Sequence, residues 1–374
     1  MAKRPGGRVR TMKRLLCILS SLDAGGAETF LMKISRTLPP DEYQMDFIVS
    51  RDNGCYTQEV LDRGGKIHLI PMRTKKPVAS FNGIRKIVKE NRYQYVLKLG
   101  NTPLCATDLI AAKWGGAKVL AMRSCNALTN LSRKQKILDT VFRPILNCVA
   151  NVKIAPSILA AEYTFGKKQV DAGKVELLHN GVDTNVYCYD EAAREKIRNE
   201  FSLDGKLVVG HVGRFSRQKN HAFLLEVFRE IKKQQENAVL LLVGTGELED
   251  KIRQQAKQLE LEDAVVYAGV RSDVPRMLSA MDVFVVPSFY EGMPNTVIEA
   301  QATGLPCVIA DTITKEANIT GLVQYLPLTD SAQAWAEQAL SLCGQVRKDT
   351  KQDFIANGYD IQSVSQNFVQ WIFG

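Results

Sequence analysis

Two glutamates stand out for the chemistry that their spacing permits. Residues 287–306 read PSFYEGMPNTVIEAQATGLP, in which Glu291 and Glu299 are separated by seven residues that hold a turn and a predicted helix start. A carboxylate can accept hydrogen bonds from several hydroxyls at once. The first turn of a helix offers unpaired N–H groups and a positive dipole end to a phosphate. This layout suits a ligand that carries both hydroxyls and phosphates, such as a sugar nucleotide.

Two cations follow a different predicted strand. The segment VGRFSRQKN, at 212–220, places Arg214 and Lys219 five residues apart just after the strand ends. Arginine offers a fork of donors and lysine a compact charge, so the two side chains could converge on a diphosphate. Cations fixed there would favour breakage of a sugar–phosphate bond, because negative charge collects on the departing nucleotide. Taken alone, the segment could equally be a solvated basic loop.

Together the two segments carry a family resemblance. The string PS…EG…P…EA…GLP resembles the E-x7-E signature of retaining glycosyltransferases of the group 1 (family four) class, and VGRFSRQKN resembles the phosphate motif of that class. The resemblance implies transfer of a sugar from a nucleotide-sugar donor, with Glu291, Arg214 and Lys219 as the catalytic residues. It also implies that Glu299 grips the ribose, although an isolated E-x7-E would leave Glu299 as an ordinary surface residue of a helix.

The same resemblance implies further contacts to the donor. Glycines after strands let a backbone approach a ligand closely, and a Gly-Thr-Gly turn at 244–246 lacks the third glycine of a dinucleotide fingerprint. A tight strand-to-helix turn is therefore the alternative for Gly244. Backbone after the next strand is expected near the base. The expected donor-binding set is Gly25, Gly26, Gly213, Gly244, Val270, Arg271, Met293, Asn295, Thr296 and Glu299.

A histidine that would activate an acceptor is not evident. Many relatives place one in a loop of the first domain, but the corresponding segment here, 123–126, reads RSCN. The leaving phosphate could take the acceptor's proton instead, as a hypothesis for a retaining mechanism. Of the other histidines, His68 and His211 are expected to be structural, and His221 is expected at the surface or as a helix cap. The sequence contains no Asp-x-Asp pair that would hold a divalent metal, so we expect no metal and no other cofactor.

Short apolar runs alternate with helical stretches along the whole chain. This pattern predicts two doubly wound, Rossmann-like α/β domains, and the resemblance implies the GT-B fold, with a cleft between facing domains. We expect an acceptor-binding domain at 1–185, whose first ten residues form a disordered tail, and a donor-binding domain at 186–358. The remaining segment, 359–374, is expected to cross back to the first domain as an amphipathic helix with Val364, Phe368, Trp371 and Ile372 on its apolar face.

The charge distribution and the composition limit the kinds of binding partner that the sequence favours. Residues 1–180 hold 30 Lys and Arg against 14 Asp and Glu, whereas residues 181–374 hold 19 against 26. The stretch 131–149 reads as a basic amphipathic helix, typical of an anionic membrane surface; a core helix with a charged outer face reads the same way. Aromatics are scarce within the basic runs, which argues against nucleic acid. Eight cysteines without a C-x-x-C pair, and no apolar run long enough to cross a bilayer, indicate a cytoplasmic protein at the inner face of the membrane.

The sequence therefore predicts a retaining hexosyltransferase that uses a nucleotide sugar. UDP is the favoured nucleotide, with GDP as the alternative, and the acceptor is expected to be lipid-linked or a saccharide. The sequence of residues 291–307 most resembles the corresponding segment of bacterial enzymes of capsule, exopolysaccharide or lipopolysaccharide assembly. Two other classes stay open: an epimerase or sugar-phosphate synthase on the same fold, and a non-catalytic basic protein that binds nucleic acid or membrane.

Overall fold

Two parallel β-sheets organise the chain. The computed structural model describes residues 12–23, 25–51, 54–125 and 132–374, so the expected disordered tail lies outside the described residues. The chain separates into two units, one that ends at Gly181 and includes Ile361–Gly374, and one that spans Val182–Asp360. The bounds expected from the sequence, 185/186 and 358/359, differ from these by a few residues.

The first unit alternates strands and helices. Its strands are β1 Lys13–Ile18, β2 Tyr43–Val49, β3 Ile67–Leu69, β4 Tyr95–Gly100, β5 Val119–Ser124, β6 Val152–Ala155 and β7 Glu176–Leu177. Its helices up to the boundary are α1 Gly26–Thr37, α2 Thr57–Asp62, α3 Pro77–Asn91, α4 Ala106–Gly115, α5 Arg133–Val149, α6 Ile158–Phe165 and α7 Lys167–Asp171. The strands pair in parallel in the order β3-β2-β1-β4-β5-β6-β7.

Strand β1 shows how this sheet is buried on both faces. Its residues alternate between two apolar clusters, with Leu15 and Cys17 in one and Leu16 and Ile18 in the other. Side chains of successive strand residues point to opposite faces, so a strand covered on both sides reads as a continuous apolar run. That run is what the sequence offered as a strand signal.

The second unit repeats this arrangement with its own sheet. Its strands are β8 Leu207–Val212, β9 Ala238–Val243, β10 Val265–Tyr267, β11 Val283–Val286, β12 Cys307–Ala310 and β13 Val323–Leu326. Its helices are α8 Glu191–Glu200, α9 His221–Gln234, α10 Glu249–Gln258, α11 Val274–Ala280, α12 Asn295–Ala302, α13 Ala332–Ser341 and α14 Lys351–Ala356. The parallel order is β10-β9-β8-β11-β12-β13, and it reverses direction between β8 and β11. The doubly wound α/β class predicted from the sequence is confirmed for both units.

The last helix, α15 Ile361–Phe373, belongs to the first unit. Val364, Phe368 and Ile372 are buried in the same cluster as residues of β1 and α1, and the Phe368 ring meets the Phe30 ring edge-on at 6.3 Å. Trp371 packs at the margin of this cluster. The apolar face read from the sequence is therefore the face that packs.

Two short segments fix where the chain leaves the second unit. The Val182 N–H donates to the Tyr359 carbonyl at 2.9 Å, and the Thr184 hydroxyl donates to Asp360 at 2.9 Å. The first and last residues of this unit are thereby tied to each other. The chain enters and leaves the unit at one place.

We expect Phe368→Ala to destabilise the first unit by about 3–5 kcal/mol, because it removes a fully buried aromatic side chain and leaves a cavity. Asn367→Ala, at an exposed position of the same helix, is the matched control and should change stability by less than about 0.5 kcal/mol. Urea unfolding followed by circular dichroism measures both. Equal midpoints for the two variants would show that α15 does not complete this core.

Candidate active site

Three loops at the carboxyl ends of adjacent strands are joined through their backbones. After β8, the Gly213 N–H donates to the Val243 carbonyl at 2.9 Å; after β9, the Gly244 N–H donates to the Gly269 carbonyl at 2.8 Å. Phe215 also donates to the Thr245 carbonyl at 3.0 Å. Ligands of open parallel sheets bind at this edge, beside the point where strand order reverses. The loops after β8, β9 and β10 therefore form one continuous rim.

The rim holds an ion pair between two residues predicted to be catalytic. The Lys219 ammonium lies 2.7 Å from Glu291 Oε1, and the exposed fractions of the two side chains are only 15% and 8%. Gln218 donates from Nε2 to the other carboxylate oxygen of Glu291 at 3.1 Å. Removal of either charge would leave its partner poorly compensated in a site of low dielectric. The structure thus brings Lys219 and Glu291 together although 72 positions separate them.

Gln218 is a residue that the sequence reasoning missed. It also donates to the Tyr290 carbonyl at 3.0 Å, and its own carbonyl accepts from the Phe289 N–H at 2.9 Å. These hydrogen bonds connect the loop after β8 to the loop after β11. Its position beside Lys219 in the basic segment was the available signal, but a pairing so distant in sequence cannot be read from one chain.

Glycine is required where the rim backbones meet. A Cβ on Gly244, whose φ is +130°, would lie 2.2 Å from the Gly213 carbonyl oxygen. A Cβ on Gly213 would lie 3.1 Å from the Lys219 side chain. No larger residue fits at Gly244, and Lys219 owes its position to the bare backbone of Gly213. Two expected donor-binding residues therefore shape the site directly, and the alternative of a tight turn at Gly244 is compatible with this geometry.

Arg214 lies on the same loop but outside the ion pair. Its guanidinium Nε donates to Glu247 at 3.0 Å, and both side chains are largely exposed. An exposed pair of this kind contributes little to stability and exchanges its partner easily. Arg214 is therefore available to a ligand at the rim, whereas Lys219 is already fixed.

The loop and helix after β11 contribute polar groups at the same edge. Met293 is buried, and Asn295 begins α12 with its N–H directed to the Met293 carbonyl at 3.0 Å. Two hydroxyls here, Ser288 Oγ and Thr296 Oγ1, are buried without a hydrogen-bond partner among the described residues. Unpaired buried hydroxyls are costly, so each marks a place where a ligand or a water can bond.

Glu299 is held by a second residue that the sequence reasoning did not single out. The Tyr187 hydroxyl bonds to the Glu299 carboxylate, and burial together with this carboxylate raises the pKa of Tyr187 above its ordinary range. Tyr187 packs beside Met293 and Ile298. Glu299 is half-buried, so it is not the freely solvated helix residue of the alternative interpretation.

A pair of buried histidines lies beneath Lys219. The His211 and His221 ring centroids are 4.7 Å apart, and the His221 ring stacks on Phe215 at 4.3 Å. Burial and the nearby Lys219 charge lower the pKa of His221 to about 4, and burial with His221 lowers the pKa of His211 well below its ordinary range. The expectation that His221 is a surface or capping residue was wrong, because its ring fills the core between α9 and β8.

The remaining expected donor contacts occupy separate places. Val270 is exposed after β10, and the Arg271 side chain is taken up by Glu200 at 2.7 Å and Asp273 at 2.8 Å. For Arg271, the backbone rather than the side chain is thus left for a base. Gly25 and Gly26 lie in the first unit, where Gly25 precedes the first residue of α1.

The loop that lacks a histidine has structural roles in its described part. The Ser124 hydroxyl is buried and bonds to the Ala160 carbonyl at 3.1 Å and to Thr164 at 2.7 Å. Arg123 is buried over the Phe30 ring at 3.7 Å. Burial raises the pKa of Cys125 to about 11, and Asn126 lies outside the described residues. Ser124 and Cys125 are thus poorly suited to take a proton from an acceptor.

The described ranges contain neither a cluster of metal-binding side chains nor a helix that could span a membrane. Across residues 12–23, 25–51, 54–125 and 132–374, no group of three or more His, Cys, Asp or Glu side chains is placed to hold a metal ion. Within the same ranges, no helix is both long and apolar enough to span a bilayer.

The fold and the site are those of a two-domain glycosyltransferase of the GT-B type, and comparison with known proteins agrees. The family model described as "Glycosyl transferases group 1" matches residues 193–360, and the one described as "Glycosyltransferase Family 4" matches residues 24–186. A Bacillus subtilis (strain 168) protein named "Putative glycosyltransferase EpsF" is 32% identical over 362 residues, which cover 94% of each chain. The chain belongs to the group 1 glycosyltransferases.

Other relatives are more distant in sequence. An Escherichia coli protein named UDP-Gal:alpha-D-GlcNAc-diphosphoundecaprenol alpha-1,3-galactosyltransferase is 26% identical and aligns over 76% of each chain. The crystal structure of Anabaena Alr3699/HepE in complex with UDP superposes with a TM-score of 0.76 at 20% identity, covering 96% of this chain and 99% of that one. A glycosyltransferase structure from Rickettsia africae ESF-5 gives 0.79 at 16% identity, covering 96% and 97%. These structures share the GT-B fold.

We expect the free energy of unfolding to fall as pH drops from about 6.5 towards 4. In this range His221 binds a proton in the unfolded chain but not in the folded protein. With a folded pKa of about 4, His221 alone accounts for roughly 2 kcal/mol lost by pH 5. His221→Phe keeps the stack on Phe215 and removes the proton site. Its melting temperature should therefore fall less than that of the wild type between pH 7.5 and pH 5. If the melting temperatures of the wild type and His221→Phe fell equally between pH 7.5 and pH 5, uptake of a proton by His221 on unfolding would be ruled out as the cause.

Proposed function

We propose that this glycosyltransferase acts with retention, moving a hexosyl unit from a UDP-sugar to a lipid-linked or saccharide acceptor in surface-polysaccharide biosynthesis. The observation that carries the proposal is the sequestered Lys219–Glu291 pair on the rim of the second sheet. The relatives support these substrates: the Escherichia coli relative is named for transfer from UDP-Gal to a diphosphoundecaprenol-linked acceptor. A Campylobacter jejuni relative also acts on a diphospho-undecaprenol acceptor, and HepE was crystallised with UDP.

Two cations would receive the diphosphate. Lys219 uses one of its three donors on Glu291 and keeps the others for phosphate oxygens. Arg214 would leave its exposed partner Glu247 and close on the same group with its planar fork. Both charges stabilise the departing UDP more than the intact donor, which lowers the barrier.

The two glutamates would hold the sugars of the donor. Glu299, fixed by Tyr187, would accept from the ribose hydroxyls, and Glu291 would contact the transferred sugar at its reacting face. Glu291 bonds Lys219 through one oxygen and Gln218 through the other, yet a carboxylate has about four lone-pair positions and so can accept further bonds. The start of α12, with Asn295 and the unpaired Thr296 hydroxyl, would face the sugar and phosphates.

The chemical step requires no metal and no protein base in this proposal. The bond from the sugar C1 to the phosphate oxygen breaks with its electron pair leaving on UDP, and the acceptor oxygen bonds to C1 on the same face. The acceptor's proton passes to the departing phosphate oxygen. Arg214 and Lys219 supply the positive charge that a metal ion would otherwise provide.

The first unit would bring the enzyme to the inner face of the membrane. On α5, Ile137, Val141 and Ile145 recur every fourth residue and are 65%, 54% and 38% exposed. Basic residues of the same helix include Arg133, Lys134 and Lys136. An exposed apolar stripe flanked by positive charge favours docking on anionic lipid over the alternative of a core helix.

Lys219→Met should lower kcat for sugar transfer by about 10²–10³-fold, because the leaving diphosphate loses a fixed charge. Arg214→Gln changes an exposed side chain and should leave the fold intact. It should also lower kcat, but by a smaller factor than Lys219→Met. Lys251→Met on the exposed face of α10 is the matched control. Rates of UDP release with UDP-sugar and a lipid-linked saccharide, measured with and without EDTA, should be insensitive to the chelator.

Ligand-dependent thermal melts and the identity of the reaction products distinguish the proposed transferase from an epimerase or a synthase. Thermal melts without metal should show stabilisation by UDP or a UDP-sugar in the wild type, and less in Glu299→Ala. A free or phosphorylated monosaccharide product would indicate an epimerase or synthase instead. Full activity in both Arg214→Gln and Lys219→Met would contradict the proposed site, and inversion at the anomeric carbon would contradict the retaining mechanism.

We expect Ile137→Ser to weaken binding to phosphatidylglycerol vesicles about three- to tenfold, because it removes an exposed apolar side chain that would enter the interface. Val346→Ser changes a valine of the second unit that is even more exposed than Ile137, and it should have no effect. Vesicle sedimentation at two salt concentrations measures the binding. Equal binding of both variants would place the membrane contact elsewhere.

A further inference from the structure

We propose that the first unit contains the acceptor's anchor site: a cationic cavity for the diphosphate of a prenyl-diphosphate-linked acceptor and, beside it, an apolar groove for the start of its hydrocarbon chain. This inference rests on the proposed function, because it concerns the lipid-linked acceptor. None of the donor-site residues described above takes part in it. The site is built entirely from residues of the first unit.

The cationic cavity lies at the carboxyl ends of four adjacent strands. It has a volume of about 320 Å³ and takes its lining from the residues that follow β1, β2 and β3 and from β4. Among the residues that the structure describes, three cations line it, Arg51, Arg73 and Lys98, against one carboxylate, Asp108. It therefore sits where open parallel sheets bind ligands, across the reversal of strand order between β1 and β4.

Asp108 orients two of these cations and does not cancel all three. Its Oδ2 lies 3.0 Å from the Lys98 ammonium and 3.2 Å from Arg73 Nη1. The Lys98 and Asp108 side chains are only 11% and 8% exposed, so the lysine is fixed below the surface. Arg51 at the mouth is exposed. The excess positive charge favours a compact polyanion over a neutral sugar.

The apolar groove adjoins this cavity and shares its wall. About 450 Å³ in volume, it is lined by Pro77, Val78, Phe81 and Leu104 together with Arg73, Thr74, Thr107 and Asp108. Arg73, Thr74 and Asp108 line both spaces. The Trp114 ring meets the Phe81 ring edge-on at 5.3 Å and is largely exposed, as is Val78.

One ligand chemistry fits both spaces. A polyanion joined directly to a hydrocarbon chain would place its charge on Arg51, Arg73 and Lys98 while the chain passes the shared wall into the groove. Prenyl diphosphates have this layout, and two relatives are named for acceptors of this kind. Bulk phospholipid is a poorer match, because its headgroups stay at the bilayer surface and would meet the exposed Lys75 and Lys76 rather than the buried Lys98.

Farnesyl diphosphate, below its micelle concentration, is the probe for calorimetry with the full chain in the absence of donor. We expect one molecule to bind, with farnesol and inorganic pyrophosphate each at least about tenfold weaker, because each lacks half of the interaction. Arg51→Gln and Arg73→Gln should weaken binding about tenfold by loss of a charge-assisted bond, and Val78→Ser should weaken it about threefold.

Two matched variants control for charge and apolar area outside the site. Lys75→Gln removes a neighbouring surface charge and Val346→Ser a distant exposed valine, and neither should alter binding. The proposal is overturned if farnesyl diphosphate does not bind, if pyrophosphate binds as tightly, if Lys75→Gln weakens binding as much as Arg73→Gln, or if phosphatidylglycerol vesicles compete equally well.

The same samples separate this inference from the proposed function. Stabilisation by UDP-sugars, read from thermal melts, reports the donor site, which shares no residue with the anchor site. Binding of farnesyl diphosphate without any effect of UDP-sugars would leave the anchor site standing and overturn the donor assignment. The reverse result would remove only the anchor site.

Discussion

In the second unit a lysine ammonium and a glutamate carboxylate meet at 2.7 Å where both side chains are largely withdrawn from water. Such a pair repays the cost of desolvation only if its geometry is good and its remaining hydrogen-bonding capacity is used. Gln218 supplies part of that capacity at the second carboxylate oxygen, and the bare backbone of Gly213 makes room for the lysine stem. The ion pair and the hydrogen bond from Gln218 therefore hold the loops after β8 and β11 in one arrangement.

In the proposed transfer this arrangement would favour catalysis, because Lys219 is held by Glu291, which Gln218 holds in turn. A charge that is already fixed need not be reoriented as negative charge develops on a leaving diphosphate. The neutral histidines below Lys219 add to this, since burial keeps them uncharged near neutral pH and so adds no repulsion beneath the ammonium. Arg214, paired with Glu247 at the surface, is the exposed member of the same charge set.

The sequence was sufficient for the fold class and for most elements, because a strand buried on both faces and an amphipathic helix each leave a local pattern. The amphipathic helix expected within 359–374 is observed as α15, Ile361–Phe373. What the sequence could not supply were partners distant along the chain. Gln218 with Glu291 and Tyr187 with Glu299 are fixed by tertiary contacts that one chain does not reveal. His221 was misjudged because a polar ring at a helix start is usually exposed, whereas here Phe215 covers it.

The return of the final helix to the first unit constrains how the protein is made. The core around Phe30 is closed by Phe368 and Ile372, which a ribosome synthesises only after the whole second unit. Until those residues emerge, the nascent first unit exposes an apolar face that it cannot cover, whereas the second unit, complete at Asp360, can already fold. The first unit, although its synthesis begins earlier, is thus completed after the second, and the nascent chain exposes this apolar surface until α15 has been made.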